Sequence, residues 1–241
     1  MLMDMKSQIE AMRALCYSVA EALDVASHYP DETVKEEHRG YLEVMTPIAK
    51  AWSTDQGFEV SSTGLQVHGG MGYIEETGAA QYLRDARITM IYEGTNGIQA
   101  LDLVKRKLIK ESAAISRIFL GMTDTVDALK LSENPALKVV GKELGLAVPA
   151  LEQATSWMQN TVSSDPVAAA SGATQYCRMF GFIAGGWLLA RSALRAEKIE
   201  HSTKADTARF FAEQHLAPAA ALLGPVTNSV DSTMAIAEEQ F

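Results

Sequence analysis

Apolar residues recur every three or four positions along most of this chain, the spacing of helices that bury one face. Leu2, Met5, Ile9, Met12, Leu15, Val19, Leu23 and Ala26 draw one stripe, predicting a helix that ends near His28-Tyr29-Pro30. A second helix is expected from about Glu36 to His68, with Trp52 on its apolar face and so in the core. Shorter helices are expected over about Thr77 to Ile88 and Asn96 to Leu108, the latter continuing through Ile115 and Leu120. Leu137, Val140, Leu144, Val148, Leu151, Thr155, Met158 and Val162 repeat the spacing after an Asn134-Pro135 start, with a kink expected at Pro149. Asp165-Pro166 reads as an N-cap followed by proline at the first helical position, opening a helix through about Glu197. A last helix is expected from Thr203 to Leu223. No segment alternates as a half-buried strand does. The pattern predicts an all-α antiparallel bundle with an appended second bundle.

Composition narrows this picture. A chain of 241 residues suffices for one large helical unit or two small ones, each with a core. A formal charge of −9 argues against nucleic acid as a partner, and the cluster Lys105-Arg106-Lys107 with Lys110 reads as the solvated C-terminal end of a helix. Cys16 and Cys177 lie far apart within helical patterns and read as buried free thiols of a reducing cytoplasm. The most apolar run, from Phe180 to Ala190, falls well short of the roughly twenty residues that cross a bilayer, so no membrane is expected. Gly181 and Gly185, one turn apart in that run, read as a close helix contact. Arg178, Arg191 and Arg195 are basic enough to meet a phosphate, and solvated helix faces explain them more simply.

The candidate chemistry lies between Gly64 and Gln99. Glu93 follows the run Ile88-Thr89-Met90-Ile91-Tyr92, and a carboxylate desolvated by such neighbours has a raised pKa, suited to taking a proton from a weak carbon acid. Gly94, Thr95, Asn96 and Gly97 are turn and helix-start residues, which puts Glu93 on a loop entering a helix whose free N–H groups favour an anionic ligand group. Gly69-Gly70-Met71-Gly72 allows close backbone approach to a ligand, and Gln66 adds a side-chain amide. Plainer readings stand beside these: a glycine turn with no ligand, and a Glu93 that is simply solvated near a helix start. His68 has no second His or Cys at metal spacing and reads as a hydrogen-bonded structural histidine. Glu75 and Glu76 read as exposed acids of a first helical turn.

Taken together, QVHGGMGY followed by RDARITMIYEGTNGIQ closely resembles the C-terminal domain of the acyl-CoA dehydrogenases. The resemblance covers residues 1 to about 110, because MTPIAKAWSTDQGFEVSSTGLQ is similar to the family helix that feeds the glycine turn. It implies that Gln66, Gly69 and Gly70 contact the ADP end of FAD, commonly across a subunit interface. It also implies that Glu93 is the catalytic base, with Gly94 and Thr95 next to the flavin. Many family members carry Gln two residues after that threonine, where this chain has Gly97. The family's N-terminal helical and middle β-domains, and its Arg-containing FAD motif, have no counterpart in the sequence, so the chain reads as the rear part of such an enzyme. Residues after about 130 resemble the helical extension of longer bacterial members, some of which act on thioether substrates such as 3-methylthiopropionyl-CoA. The expected division is therefore 1–130 for the family domain and 131–241 for the extension. The implied reaction is α,β-dehydrogenation of an acyl-CoA thioester, with electrons leaving to an electron-transfer flavoprotein and the chain forming a homo-oligomer. The alternative from another class is a non-catalytic helical assembly or binding module, or one part of a split enzyme. A di-metal bundle lacks the Glu-x-x-His steps it requires.

Overall fold

The computed structural model describes residues 1–197, 199 and 202–240, and among these it contains helices and turns and no strand. Helices α1 (Leu2–His28) and α2 (Glu32–Val67) form an antiparallel hairpin. The start of α2 lies one turn before the apolar stripe because Asp31 caps it: its carboxylate accepts from the N–H groups of Thr33 and Val34 at 2.8 and 3.4 Å. Next come α3 (Gly70–Tyr73), a 3₁₀ turn (Glu75–Thr77) and α4 (Ala79–Ile88). Helix α5 (Asn96–Asp102) runs through a π-helical turn (Leu103–Lys107) into α6 (Leu108–Lys110).

The expected continuation through Ile115 and Leu120 belongs to a separate helix, α7 (Ser112–Leu131), since Glu111 leaves the helical region at φ −107° and ψ 34°. The π turn and this break reset the helix phase, so that Leu103, Val104, Leu108, Ile115 and Ile118 all reach the core. Helix α8 (Pro135–Ser164) runs unbroken through Pro149, with Asn134 Oδ1 accepting from Ala136 N–H at 2.9 Å. Helix α9 (Pro166–Ala196) has the predicted cap, Asp165 accepting from Ala168 N–H at 3.0 Å. The last predicted helix is broken up: α10 (Lys204–Phe211), a π turn (Ala212–Leu216), α11 (Ala217–Ala220), then α12 (Leu223–Asn228) and α13 (Val230–Thr233). Pro218 has no amide hydrogen for the carbonyl four residues back, which accounts for the irregular path around it.

The architecture is the expected all-α bundle, and one apolar core runs through it from Ala11 to Val226. Its hinge point is Trp52, 1 % exposed, which lies edge-on to Phe182 with ring centroids 5.4 Å apart. A Cβ at Gly181 would collide with the Trp52 ring, and one at Gly185 would stand 2.7 Å from Trp52 Cη2, so the glycine pair is the notch that admits the indole. Tyr176 is fully buried and shares a 2.8 Å hydrogen bond with Thr155, tying α9 to α8. Cys177 is buried as expected, its thiol pushed up to about 12 by desolvation, whereas Cys16 is exposed, against the expected burial, with its Sγ 3.9 Å from Ser53 Oγ of α2.

Candidate functional site

Glu93 sits on the turn between α4 and α5, as the residue pattern predicts, and it adopts φ +57°, the one positive φ outside glycine among the described residues. Gly94 follows at φ +78°. A non-glycine residue held in this left-handed region costs roughly 1–3 kcal/mol, so neighbouring contacts must hold it there. The Asn96 N–H donates to Met90 O at 3.2 Å, and Gln99 Nε2 donates to Glu93 O at 3.2 Å. Lys50, near the middle of α2, donates from Nζ to Gly94 O at 2.8 Å and to Asn96 Oδ1 at 3.1 Å. Asn96 Nδ2 in turn lies 2.7 Å from Asp55 Oδ1, 2.9 Å from Thr54 Oγ1 and 3.1 Å from Ala51 O. Burial raises the Asp55 carboxyl above its usual range, against the opposing effect of the Asn96 hydrogen bond and the charges of Arg178, Lys50 and Arg87.

The expected desolvation of Glu93 is not met within this chain. Glu93 is exposed, and of its apolar neighbours Ile88, Ile91 and Tyr92 are 53 %, 46 % and 53 % exposed. The reason is geometric. The run 88–92 ends α4 and forms the turn before α5, where Thr89 and Met90 are half-buried and Ile88, Ile91 and Tyr92 are left uncovered.

The glycine turn follows the end of α2. Gln66, Gly69 and Gly70 are exposed, Gly69 takes φ +61°, and a Cβ at Gly69 or Gly70 would meet only open space. These two glycines present bare backbone to an incoming group, which fits the flat, close approach that an FAD diphosphate needs. Gly72 differs, because a Cβ there would collide with Leu65 O and stand 2.9 Å from His68 Cβ; it packs the short α3 onto the end of α2. His68 itself is exposed where α2 ends, at odds with the reading of a structural histidine. Glu75 and Glu76 are exposed as expected, and Glu75 takes both guanidinium nitrogens of Arg84 at 2.8 and 2.9 Å.

The predicted residues thus form two clusters. Glu93, Gly94 and Thr95 share one turn over Lys50, whereas Gln66, Gly69 and Gly70 lie where α2 ends, about 24 Å farther along the helix axis at roughly 1.5 Å per residue. The sequence reading missed Lys50, Thr54 and Asp55. Their signal was present as three polar residues at helical spacing beside Ala51 and Trp52, on a helix otherwise read for its apolar face. Of the basic residues, Lys107 is an exception to the solvated-end reading, being largely buried and paired with Glu43 of α2. Arg178 and Arg191 are exposed and lie over aromatic faces, 5.8 Å from the Phe182 centroid and 5.2 Å from that of Trp187. A cleft of about 310 Å³, lined by Tyr41, Arg117, Trp187 and Arg191 among others, lies between α1, α2, α7 and α9 and contains none of the predicted site residues. Among the described residues no cluster of His, Cys, Asp and Glu suits a metal ion, and no helix is long and apolar enough to cross a membrane.

Comparison with known proteins gives the family and the fold. Residues 1–108 match the family described as "Acyl-CoA dehydrogenase, C-terminal domain", and residues 118–237 match "Acetyl-CoA dehydrogenase C-terminal like". The 3-methylmercaptopropionyl-CoA dehydrogenase of Ruegeria pomeroyi is 35 % identical over 97 % of this chain, a match that spans 41 % of the relative. The broad-specificity linear acyl-CoA dehydrogenase FadE5 of Mycobacterium tuberculosis is 27 % identical over 89 % of this chain and 38 % of its own length. The crystal structure of Caenorhabditis elegans ACDH-11 in complex with C11-CoA superposes with a TM-score of 0.73 at 22 % identity, over 88 % of this chain and 35 % of that one, and shows the same fold. The chain spans about two fifths of the length of the curated relatives. With two family matches covering nearly all of its length and a helical fold to suit them, this chain belongs to the acyl-CoA dehydrogenase family, as its C-terminal helical region.

Proposed function

We propose that the chain is the C-terminal part of an FAD-dependent acyl-CoA dehydrogenase that introduces an α,β double bond into an acyl-CoA thioester. The observation that carries this reading is Glu93: an acid in a family-type turn, held at a positive φ by ties from α2 and α5. In the proposed reaction the Glu93 carboxylate removes the α-proton. FAD, when bound, would supply the acceptor for the β-hydrogen as hydride, with an electron-transfer flavoprotein as the partner that takes the electrons. Gly94 and Thr95 would stand next to the flavin, and Gln66, Gly69 and Gly70 would hold its ADP end. Their separation along α2 suits two FAD molecules shared between copies of the chain, hence a homo-oligomer. The reading places the protein in the cytoplasm.

Glu93 needs cover to work as a base. An exposed carboxylate has little affinity for a carbon-bound proton, and desolvation is what raises it. The exposed apolar residues Ile88, Ile91 and Tyr92 around it are the surface such a cover would bury. The same exposure is the observation that favours a second reading, in which the chain is an assembly module or one part of a split enzyme.

Visible absorbance of the purified chain with added FAD, followed by acyl-CoA titration, separates the two. Bound flavin that bleaches on addition of acyl-CoA is the expected result. Glu93→Gln is expected to slow bleaching by about 10² to 10⁴-fold, the usual share of a general base, while flavin remains bound. Flavin bleached at an unchanged rate by the variant removes Glu93 from the reaction, and no flavin binding at all favours the module.

A further inference from the structure

We infer that Lys50, Asn96 and Asp55 form a positioning unit that holds the Glu93–Gly94 turn in its left-handed conformation, and that helix α9 of the C-terminal extension completes the unit from behind. The inference deepens the reading of Glu93 as the base.

The turn has few other supports. Its side chains from Tyr92 to Thr95 are exposed, so core packing cannot hold them. Beside the Gln99 Nε2 bond to Glu93 O, the ties run to α2 through Lys50 and Asn96. Asn96 receives Lys50 Nζ on its amide oxygen at 3.1 Å, and it directs its amide nitrogen to Asp55 Oδ1 at 2.7 Å and Ala51 O at 3.1 Å. Both ends of that amide are therefore engaged by α2, which fixes its orientation and the start of α5 with it. Lys50 is the one side chain of the group that also reaches the strained segment, through Gly94 O at 2.8 Å. A lysine that bonds a carbonyl and an amide oxygen together determines how far the turn stands from α2.

Helix α9 supplies the other wall. Trp52, between Ala51 and Asp55 on α2, is clamped in the notch of Gly181 and Gly185, which sets the height of α2 against α9. One turn before that notch, Thr174, Cys177 and Arg178 line a void of about 10 Å³ with Trp52, Asp55 and Asn96. Burial raises the Asp55 carboxyl, and the charges of Arg178, Lys50 and Arg87 oppose that rise. This assigns the extension a part in the site: its longest buried helix backs the residues that orient the proposed base.

The test is carried out on the purified 241-residue chain and does not depend on turnover. Nuclear magnetic resonance reports the Glu93 backbone angle through its amide–α-proton coupling and 13Cα shift, and hydrogen exchange reports closure of the turn at the Asn96 and Gln99 amides. Lys50→Met is expected to move the Glu93 signals toward those of ordinary backbone and to speed exchange at both amides at least tenfold. Lys50→Arg, which keeps a charged donor, should restore the native signals and bring exchange back to within about threefold. Asp55→Ala should act in the same direction as Lys50→Met, and Arg178→Met more weakly. Lys107→Met, which removes another half-buried lysine that bonds to α2, serves as the control and should leave the Glu93 signals in place. Unchanged Glu93 signals in Lys50→Met overturn the inference, as does an equal response to Lys107→Met; an Arg178→Met variant without effect removes α9 from it. If the chain proves not to bind flavin, the dehydrogenase reading fails, while these signals still decide whether the turn is held as stated.

Discussion

Helix α9 and the segment from Gln66 to Ile98 use their apolar residues in opposite ways. From Met179 to Ala190 every residue of α9 is buried, the pattern of a helix enclosed on all sides. In the segment that carries both motifs, Tyr73 is 82 % and Tyr82 76 % exposed, and Met71, Ile88, Tyr92 and Ile98 stand more than half exposed beside them. The first region spends its apolar surface on this chain's own stability. The second leaves apolar side chains uncovered, as surfaces that contact something else do. The difference teaches that the two turn motifs and the core are largely separate here: the turns stand exposed, whereas α9, which carries neither, is enclosed by the bundle.

Substitutions in the two regions should therefore separate sharply. Trp52→Ala leaves the Gly181–Gly185 notch unfilled and is expected to cost about 3–5 kcal/mol in urea unfolding, the range for a fully buried large aromatic. A loss below about 1 kcal/mol would show that α9 and α2 are not joined at this point. A smaller and pH-dependent effect is expected at His215, stacked 5.5 Å from Phe182 and within 2.9 Å of Asp4. Burial lowers its pKa, and the nearby Asp4 only partly opposes this. A ring whose folded-state pKa lies below its unfolded value favours the neutral form in the fold. Its contribution is complete above about pH 6.5 and is lost as pH falls through the lowered folded value. Thermal unfolding measured across that range should show this slope, and His215→Gln should flatten it; a slope unchanged in the variant assigns it to other groups. The smallest effect is expected where family character is strongest. Tyr73→Ser and Tyr82→Ser should each change the stability of the chain by less than about 0.5 kcal/mol, as surface substitutions do. A cost above 2 kcal/mol at either would mean that this surface is already covered, for instance by a second copy of the chain.

How legible each feature was depended on the range of the interaction behind it. Helices α1, α8 and α9 were visible because periodicity and local caps, Asn134 and Asp165, carry them. The break at Glu111 was not, since it adjusts helix phase to neighbours distant in sequence. The turn at Glu93 was located correctly from Gly94, Thr95 and Asn96, while its exposure was misread. Apolar neighbours in sequence desolvate a carboxylate only when something packs over them, and that depends on the path the chain takes in space. Lys50 and Asp55 went unread for a related reason, because their partner Asn96 lies forty or more positions away.

The sequence by itself determined the helical class, the positions of most helices, the two turn motifs and the family resemblance, because each rests on residues within a few turns of one another. Only the tertiary structure decided that the extension and the family domain share one core, that Trp52 locks α2 to α9, and that the two motif turns stand far apart on one helix. Those are facts of packing: a notch such as Gly181–Gly185 identifies its occupant only once a second helix has been laid across it.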